Sequence, residues 1–323
     1  MSLNGWDSIR AAGRSLYGAQ EPRHLASVVG GAFTGRDPLE GIDCYASSSL
    51  GAPHWHYLTY GLTELRGKES PNPEVSGWGM ELTMRVARGA EGEPPMWPAG
   101  LLQNLAQYTY ETGRVFEPGA LLDVNGPLAE GAATVLTGLV FTDDPELAVT
   151  VATNNGAFRF VQVVGLAGDE LEAAYAWSPS GALGLLSHVQ RNVTDLARPS
   201  ALASSSAQAA LLERIAREGS ATEVLRLPAL GISQDEGGLV LELGARSLAR
   251  VARVVAGRLG HGRGLLLRIN DSSLELRPGD RVALDEESGV LFVTAPAVAS
   301  LANVEPRAGK FSLAPGLSVQ LHA

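Results

Sequence analysis

His54 and His56 alternate with Trp55 and Tyr57 in the run His54-Trp55-His56-Tyr57-Leu58-Thr59-Tyr60-Gly61. On a strand that alternation puts both imidazoles on one face, and His24 with the single cysteine, Cys44, would be the candidates to complete a zinc site there. No short-spaced second pair of ligands accompanies them. The pair therefore reads as structural histidines with hydrogen-bonded ring nitrogens, and neither a metal nor a cofactor is expected. Asp143 and Asp144 offer two carboxylates, but adjacent residues on a turn diverge and do not face one substrate. Gly260-His261-Gly262-Arg263-Gly264 has the glycine content of a phosphate cradle. Its spacing fits neither the dinucleotide nor the nucleoside-triphosphate loop, so it reads as a turn. Gly77-Trp78-Gly79 reads as a bulge entering a strand, with Trp78 in the core, in preference to a mobile binding loop. No Gly-x-Ser-x-Gly elbow, His-Glu-x-x-His or glycine-rich loop ending in Lys-Ser or Lys-Thr occurs. A chain without catalytic residues is expected, and the enzyme alternative would have to use the His54/His56 strand.

The elements that position these residues follow from periodicity. Ile9, Ala12, Leu16 and Tyr17 fall at helical spacing, with Leu25, Val28 and Val29 starting a second turn or strand. Residues 30–53 read as a Gly/Ser/Asp/Pro loop, and 54–61 as an aromatic strand. Glu81-Leu82-Thr83-Met84-Arg85-Val86 alternates polar and apolar, the pattern of a strand with one wet face. Pro98 opens a helix through Leu101, Leu105 and Tyr108 that ends at Gly113. Strands are expected within 120–165, with a hairpin at Asn154-Asn155-Gly156, and a broken helix over 168–190. Beyond 220 short strands dominate, and 246–256 suits a helix or a strand equally.

Size and charge bound the class. The 323 residues suggest about two domains, and the small, polar stretch 199–207 followed by a short helical pattern is the best linker. The expected division is 1–200, a linker with a short helix over 201–220, and a smaller strand-rich domain over 221–323. Lys and Arg number 25 against 35 Asp and Glu, a net charge of -10 that argues against nucleic acid or an anionic bilayer as partner. One cysteine excludes an intrachain disulfide and suits a reducing compartment. The first residues lack a secretory pattern and no apolar run approaches the ~18 residues of a membrane helix, so a cytoplasmic chain without membrane association is expected.

Several strings resemble, in order and spacing, the core of the suppressor of fused family. They are Asp37-Pro38-Leu39, His54-Trp55-His56-Tyr57, Ser76-Gly77-Trp78-Gly79-Met80-Glu81-Leu82-Thr83 and Pro94-Pro95-Met96-Trp97-Pro98. Leu105-Ala106-Gln107-Tyr108, Thr142-Asp143-Asp144-Pro145 and Phe160-Val161-Gln162-Val163-Val164-Gly165 continue the series. Gly257-Arg258-Leu259-Gly260-His261-Gly262-Arg263 is similar to a string of the family's second domain. The resemblance implies an α+β chain of two domains joined by a hinge, each a mixed or antiparallel sheet with packed helices, that grips another protein and has no catalytic activity.

In eukaryotic members a strand from the Gli transcription factor is held between the domains by β-augmentation, with a helix tyrosine and loop acids contributing. On this chain those residues correspond to Tyr108 and to Asp144 in the Asp143-Asp144-Pro145 turn. Gly119 is followed by Ala120 where a second acid would stand, and the acidic insertion of eukaryotic members is absent. Bacterial members are proposed to be immunity proteins. The resemblance thus implies a protein partner, a toxin, bound between the domains through Tyr108, Asp143 and Asp144, the alternative being a regulatory scaffold without a toxin.

Overall fold

The computed structural model describes residues 3–26, 38–186 and 192–323. Val28, Val29, Asp37 and Val189 lie outside the described residues. The chain divides into two compact units, one of residues 1–171 with 183–200 and one of 172–182 with 201–323. The segment 172–182 thus groups with the C-terminal unit, although it precedes residue 200.

The first unit is built on one mixed, eight-stranded sheet. Its strands are β1 (Arg23–Ala26), β2 (Gly41–Ser47), β3 (His54–Tyr60), β4 (Val75–Ala87), β5 (Leu121–Asp123), β6 (Leu136–Asp143), β7 (Val151–Thr153) and β8 (Gly156–Ala167). They run in the order β1-β2-β3-β4-β8-β6-β5, with β7 also on β8. Among the described residues only β4 and β8 pair in parallel, and the other strand pairings of this sheet are antiparallel. Helix α1 (Gly5–Tyr17) is capped by Asn4, whose side chain accepts from the Asp7 amide at 2.8 Å. Helix α2 (Trp97–Thr112) carries Pro98 in its first turn and ends where Gly113 takes a left-handed φ of 70°.

Strand alternation divides the side chains between two faces. Ile42, Cys44, Trp55, Tyr57, Leu82, Met84, Leu139, Phe141, Val161 and Val163 pack with Leu102, Leu105 and Ala106 of α2. On the other face Tyr45, Leu58, Tyr60 and Phe160 pack with Ile9 of α1. Glu81, Thr83 and Arg85 are wholly buried, along with His54, His56 and Gln162. The wet face expected for β4 is therefore corrected. Its polar groups are inside because each finds internal partners, which is what allows a polar residue into a core. Strand β2 was missed inside the expected loop, since Gly41-Ile42-Asp43-Cys44-Tyr45 is short and is flanked by turn residues.

Chain segments 168–186 form α3 (Gly168–Ala176) and α4 (Pro179–Leu186), broken at Ser178 as expected. The second unit contains α5 (Ser205–Glu218), capped by Ser204, α6 (Leu248–Leu259) and α7 (Ala295–Leu301). Its strands are β9 (Val224–Arg226), β10 (Leu230–Asp235), β11 (Gly238–Gly244), β12 (Leu265–Ile269), β13 (Ser272–Pro278), β14 (Ala283–Asp285), β15 (Val290–Val293), β16 (Gly309–Ala314) and β17 (Gly316–His322). Two mixed sheets result, β10-β11-β17-β16 and β14-β15-β13-β12-β9, where one sheet per domain was expected. Residues 246–256 resolve as helix: Val251, Val254, Val255 and Leu259 line one buried stripe in the core shared with both sheets.

Candidate functional site

Arg85 is the centre of the buried polar face of the first unit. Its Nη1 donates to Asp144 Oδ2 at 2.6 Å and to Gln162 Oε1 at 2.5 Å, and its Nη2 to Asp144 Oδ1 at 3.0 Å and Glu146 Oε2 at 2.9 Å. Asp144 also accepts from Thr83 Oγ1 at 2.7 Å and from the amides of Glu146 and Leu147, both at 3.0 Å. The registers account for the convergence, since His56 lies opposite Arg85 and Thr83 opposite Gln162 in neighbouring strands. Burial, then the Arg85 charge, pushes His56 down to about 4, so the ring is neutral. The Tyr17 hydroxyl lies 2.6 Å from its Nδ1, and its Nε2 lies 3.2 Å from Asp144 Oδ2. Burial alone would raise the Asp144 carboxyl, but His56 and Arg85 against it hold it well below the usual carboxylate range.

Asp144, expected as a contact with a partner, is turned inward in this geometry. Its carboxylate is committed to Arg85, Thr83 and two amides, and the residue as a whole is buried. Asp143, one residue earlier, is half-exposed and makes a long ion pair of 3.8 Å with Arg159. By strand parity it shares the α2 face with Phe141. Tyr108 is half-buried on that same face, stacked on Phe116 with centroids 6.0 Å apart, and Phe116 stacks in turn on Phe141 at 4.2 Å. Arg114 lies over both the Tyr108 and Phe116 rings, and its Nη1 reaches the Tyr108 hydroxyl at 3.4 Å. The structure therefore brings Tyr108 and Asp143 to one face of the sheet and takes Asp144 to the other.

The remaining candidates resolve as structural parts. His54 Nδ1 lies 2.8 Å from the Ala52 carbonyl, His24 Nδ1 lies 2.8 Å from Asp43 Oδ1, and Cys44 packs in the α2 core. No group of three or more His, Cys, Asp or Glu among the described residues is arranged to hold a metal. The 260–264 turn is a clamp on a helix end. His261 Nε2 lies 3.2 Å from the Ala216 carbonyl and Arg263 Nη2 donates to the Glu218 carbonyl, so an imidazole and a guanidinium meet the C-terminus of α5. Trp78 lies in β4 beside a register shift, with Gly77 and Gly79 both at positive φ. The bulge is there, but Trp78 is half-buried and stands edge-on to Tyr110 at 5.5 Å, outside the core proper.

A surface that pattern reasoning missed lies in the second unit. Strand β10 ends its sheet, and among the described residues it pairs with β11 alone. Beside it runs a groove of about 420 Å³ lined by Leu230, Ile232, Leu239, Ile269 and Leu284, with Glu286. Asp235, Glu236, Asp271, Asp285 and Glu287, all exposed, sit at the strand ends and in the turns next to the lining residues. Leu230 and Ile232 carry the available signal, an apolar alternation too short to distinguish an edge strand from a loop.

The family model for suppressor of fused protein matches residues 35–199. The chain belongs to the suppressor of fused family. The human and mouse suppressor of fused homologs are each 34% identical to it over 193 residues, which is 56% of this chain and 40% of theirs. The chain thus spans about two fifths of the length of the curated relatives it matches. The crystal structure of Drosophila Suppressor of Fused is similar with a TM-score of 0.76 and 19% identity, over 99% of this chain and 97% of that one. That likeness shows the shared α+β fold. The crystal structure of a Sufu-Fu complex is similar with a TM-score of 0.58 and 27% identity, over 66% of this chain and 98% of that one. No helix among the described residues of this family member is long and apolar enough to cross a membrane.

Proposed function

We propose that this chain is a non-enzymatic, protein-binding module that sequesters or neutralises a partner by pairing with an extended segment of it. The observation that carries the reading is the outer edge of β10, which has no strand partner among the described residues and lies beside an apolar groove with acids around it. A strand edge supplies backbone hydrogen bonds to an added strand and the groove takes alternate side chains, the requirements of β-augmentation. The relative in the Sufu-Fu complex, at 27% identity, supports a protein partner. Tyr108 and Asp143 are proposed as contacts on the first unit, with Asp144 acting through the network that fixes the Asp143 turn. The net charge of -10 would speed association with a basic protein such as a nuclease-like toxin, and an immunity protein of a bacterial cytoplasm is the specific form of the proposal.

Capture from the native lysate, with wild type, Ile232→Glu and Tyr108→Ala as baits, tests it. One partner held by the wild type and lost by both variants is the expected result. Failure of the wild type to retain any partner, or equal retention by all three baits, overturns the reading. A neighbouring reading frame whose product arrests growth, relieved by co-expression of this chain, would support the immunity form; capture of a non-toxic partner would favour a regulatory scaffold.

A further inference from the structure

A second cleft, of about 590 Å³, opens in the first unit where the turn after β3 meets the start of β4. We propose that it binds an arginine side chain of a protein partner, stacked against the Trp78/Tyr110 pair and neutralised by Glu69. The aromatic wall is the first support. Tyr110 is 48% exposed, far more than the core aromatics, and its hydroxyl donates to the Gly61 carbonyl at 2.8 Å, so an accessible ring is held in one place. Trp78 stands edge-on to it at 80°, and a planar guanidinium stacks on such faces better than an ammonium does.

Charge is the second, independent support. Glu40, Glu64 and Glu69 line the cleft against one lining cation, Arg66. Arg66 is taken by Glu40, and Glu64 by Lys68 and by the amides of Glu69 and Ser70. The Glu69 carboxylate has no partner among the described residues and is exposed. Behind the floor lies Glu81, wholly buried, which accepts from Thr59 Oγ1 at 2.6 Å and from the amides of Gly61 and Thr63 at 3.0 and 2.8 Å. All of those donors are neutral. When ionised, Glu81 places an anion without a counter-cation under the cleft. The Tyr110 phenol registers the combined field: its pKa is raised by burial first, then by Glu81, with Glu69 and Glu40 adding to it. A cation entering between ring and carboxylate gains from both, and from partial exclusion of water.

The inference rests on the protein-binding reading only for where the arginine comes from, and a small-molecule probe keeps the two apart. N-acetyl-arginine methylamide, titrated into the whole protein with the Trp78 indole signal followed by NMR, should give a saturable shift with millimolar affinity. The citrulline analogue, equal in shape and uncharged, should give none. Glu69→Gln should weaken arginine binding several-fold, Tyr110→Ala should abolish it, and Tyr110→Phe, which keeps the ring, should retain most of it. No saturable shift with arginine, an equal response to citrulline, or Glu69→Gln binding as well as wild type overturns the site. Saturable arginine binding beside an empty partner capture would refute the protein-binding reading and leave this site standing.

Discussion

Arg85 and Asp144 meet in a two-point ion pair of 2.6 and 3.0 Å, and neither side chain exposes more than 1% of its surface. Such a pair is tolerated inside because Thr83, Gln162, the Glu146 carboxylate and the Glu146 and Leu147 amides add hydrogen bonds to the carboxylate and to both Nη atoms of the guanidinium. Removing one partner strands the other. Asp144→Ala, or Arg85→Met, is expected to cost about 3–5 kcal/mol by urea denaturation. The double replacement Arg85→Met/Asp144→Leu, which removes both charges, should cost less than the sum of the two single changes. Additive costs would mean that the pair is not coupled.

Tyr108 separates packing from contact. Its hydroxyl has one weak donor, Arg114 at 3.4 Å, while its ring lies on Phe116. Tyr108→Phe should therefore leave the urea midpoint nearly unchanged, within about 0.5 kcal/mol, and reduce partner affinity where the hydroxyl is buried on binding. Tyr108→Ala removes the stacked ring and should cost about 2 kcal/mol or more of stability. A partner bound equally by the wild type and the Phe variant would confine this residue to packing.

Local pattern carried the parts of the fold that depend on neighbours in sequence. Helix α2 was legible from Pro98 at its start and Gly113 at its end, and the broken pair α3 and α4 from Ser178-Pro179. Side-chain environment was not legible where it depends on distant strands. The alternation Glu81-Thr83-Arg85 is identical for a solvated face and for a polar interior, and only the arrival of Asp144 from the turn after β6 and Thr59 from β3 decides between them. The same holds for Asp144, whose sequence context is an exposed turn. The resemblance pointed to the turn, and chain parity between Asp143 and Asp144 determined which carboxylate stays outside. His261 and Arg263 gave no sign of their role because their target, the end of α5, is more than forty residues away.

Gly219 tests the clamp on α5. It sits just past the helix with φ of 66°, and a Cβ there would lie 2.2 Å from the Gly257 carbonyl oxygen and 2.3 Å from Arg263 Nη2. Backbone and clamp cannot both yield, so Gly219→Ala combines left-handed strain with displacement of Arg263. A loss of about 2–3 kcal/mol is expected, with faster amide exchange in the last turn of α5. Gly184→Ala, where a Cβ meets nothing within 4 Å, is the control and should be neutral or mildly stabilising.

His56 and Glu81 titrate against each other. Burial lowers His56 from 6.5 to about 4 and raises Glu81 from 4.5 to about 7. Between pH 4.5 and 6.5 the unfolded chain holds a proton on the histidine and the folded chain holds one on the glutamate. Proton uptake is then equal in the two states for this pair, and their effects on stability cancel. His54, also lowered by burial, adds a contribution of the same sign as His56, so wild-type stability should rise only gently with pH across the window. Glu81→Gln removes one side of the balance, and stability should then rise by about 3 kcal/mol from pH 4.5 to 6.5, because only the unfolded chain gains the histidine proton on acidification. His56→Gln should tilt the profile toward falling stability as pH rises through the window, because only the unfolded chain releases the Glu81 proton there, with the remaining His54 contribution offsetting part of the fall. Below pH 4 all forms that keep Asp144 should lose stability steeply, since its depressed carboxyl stays ionised in the folded state while the unfolded one takes up a proton. Urea midpoints of the three proteins at half-unit pH steps measure this directly, and parallel profiles would show that neither group changes its protonation on folding.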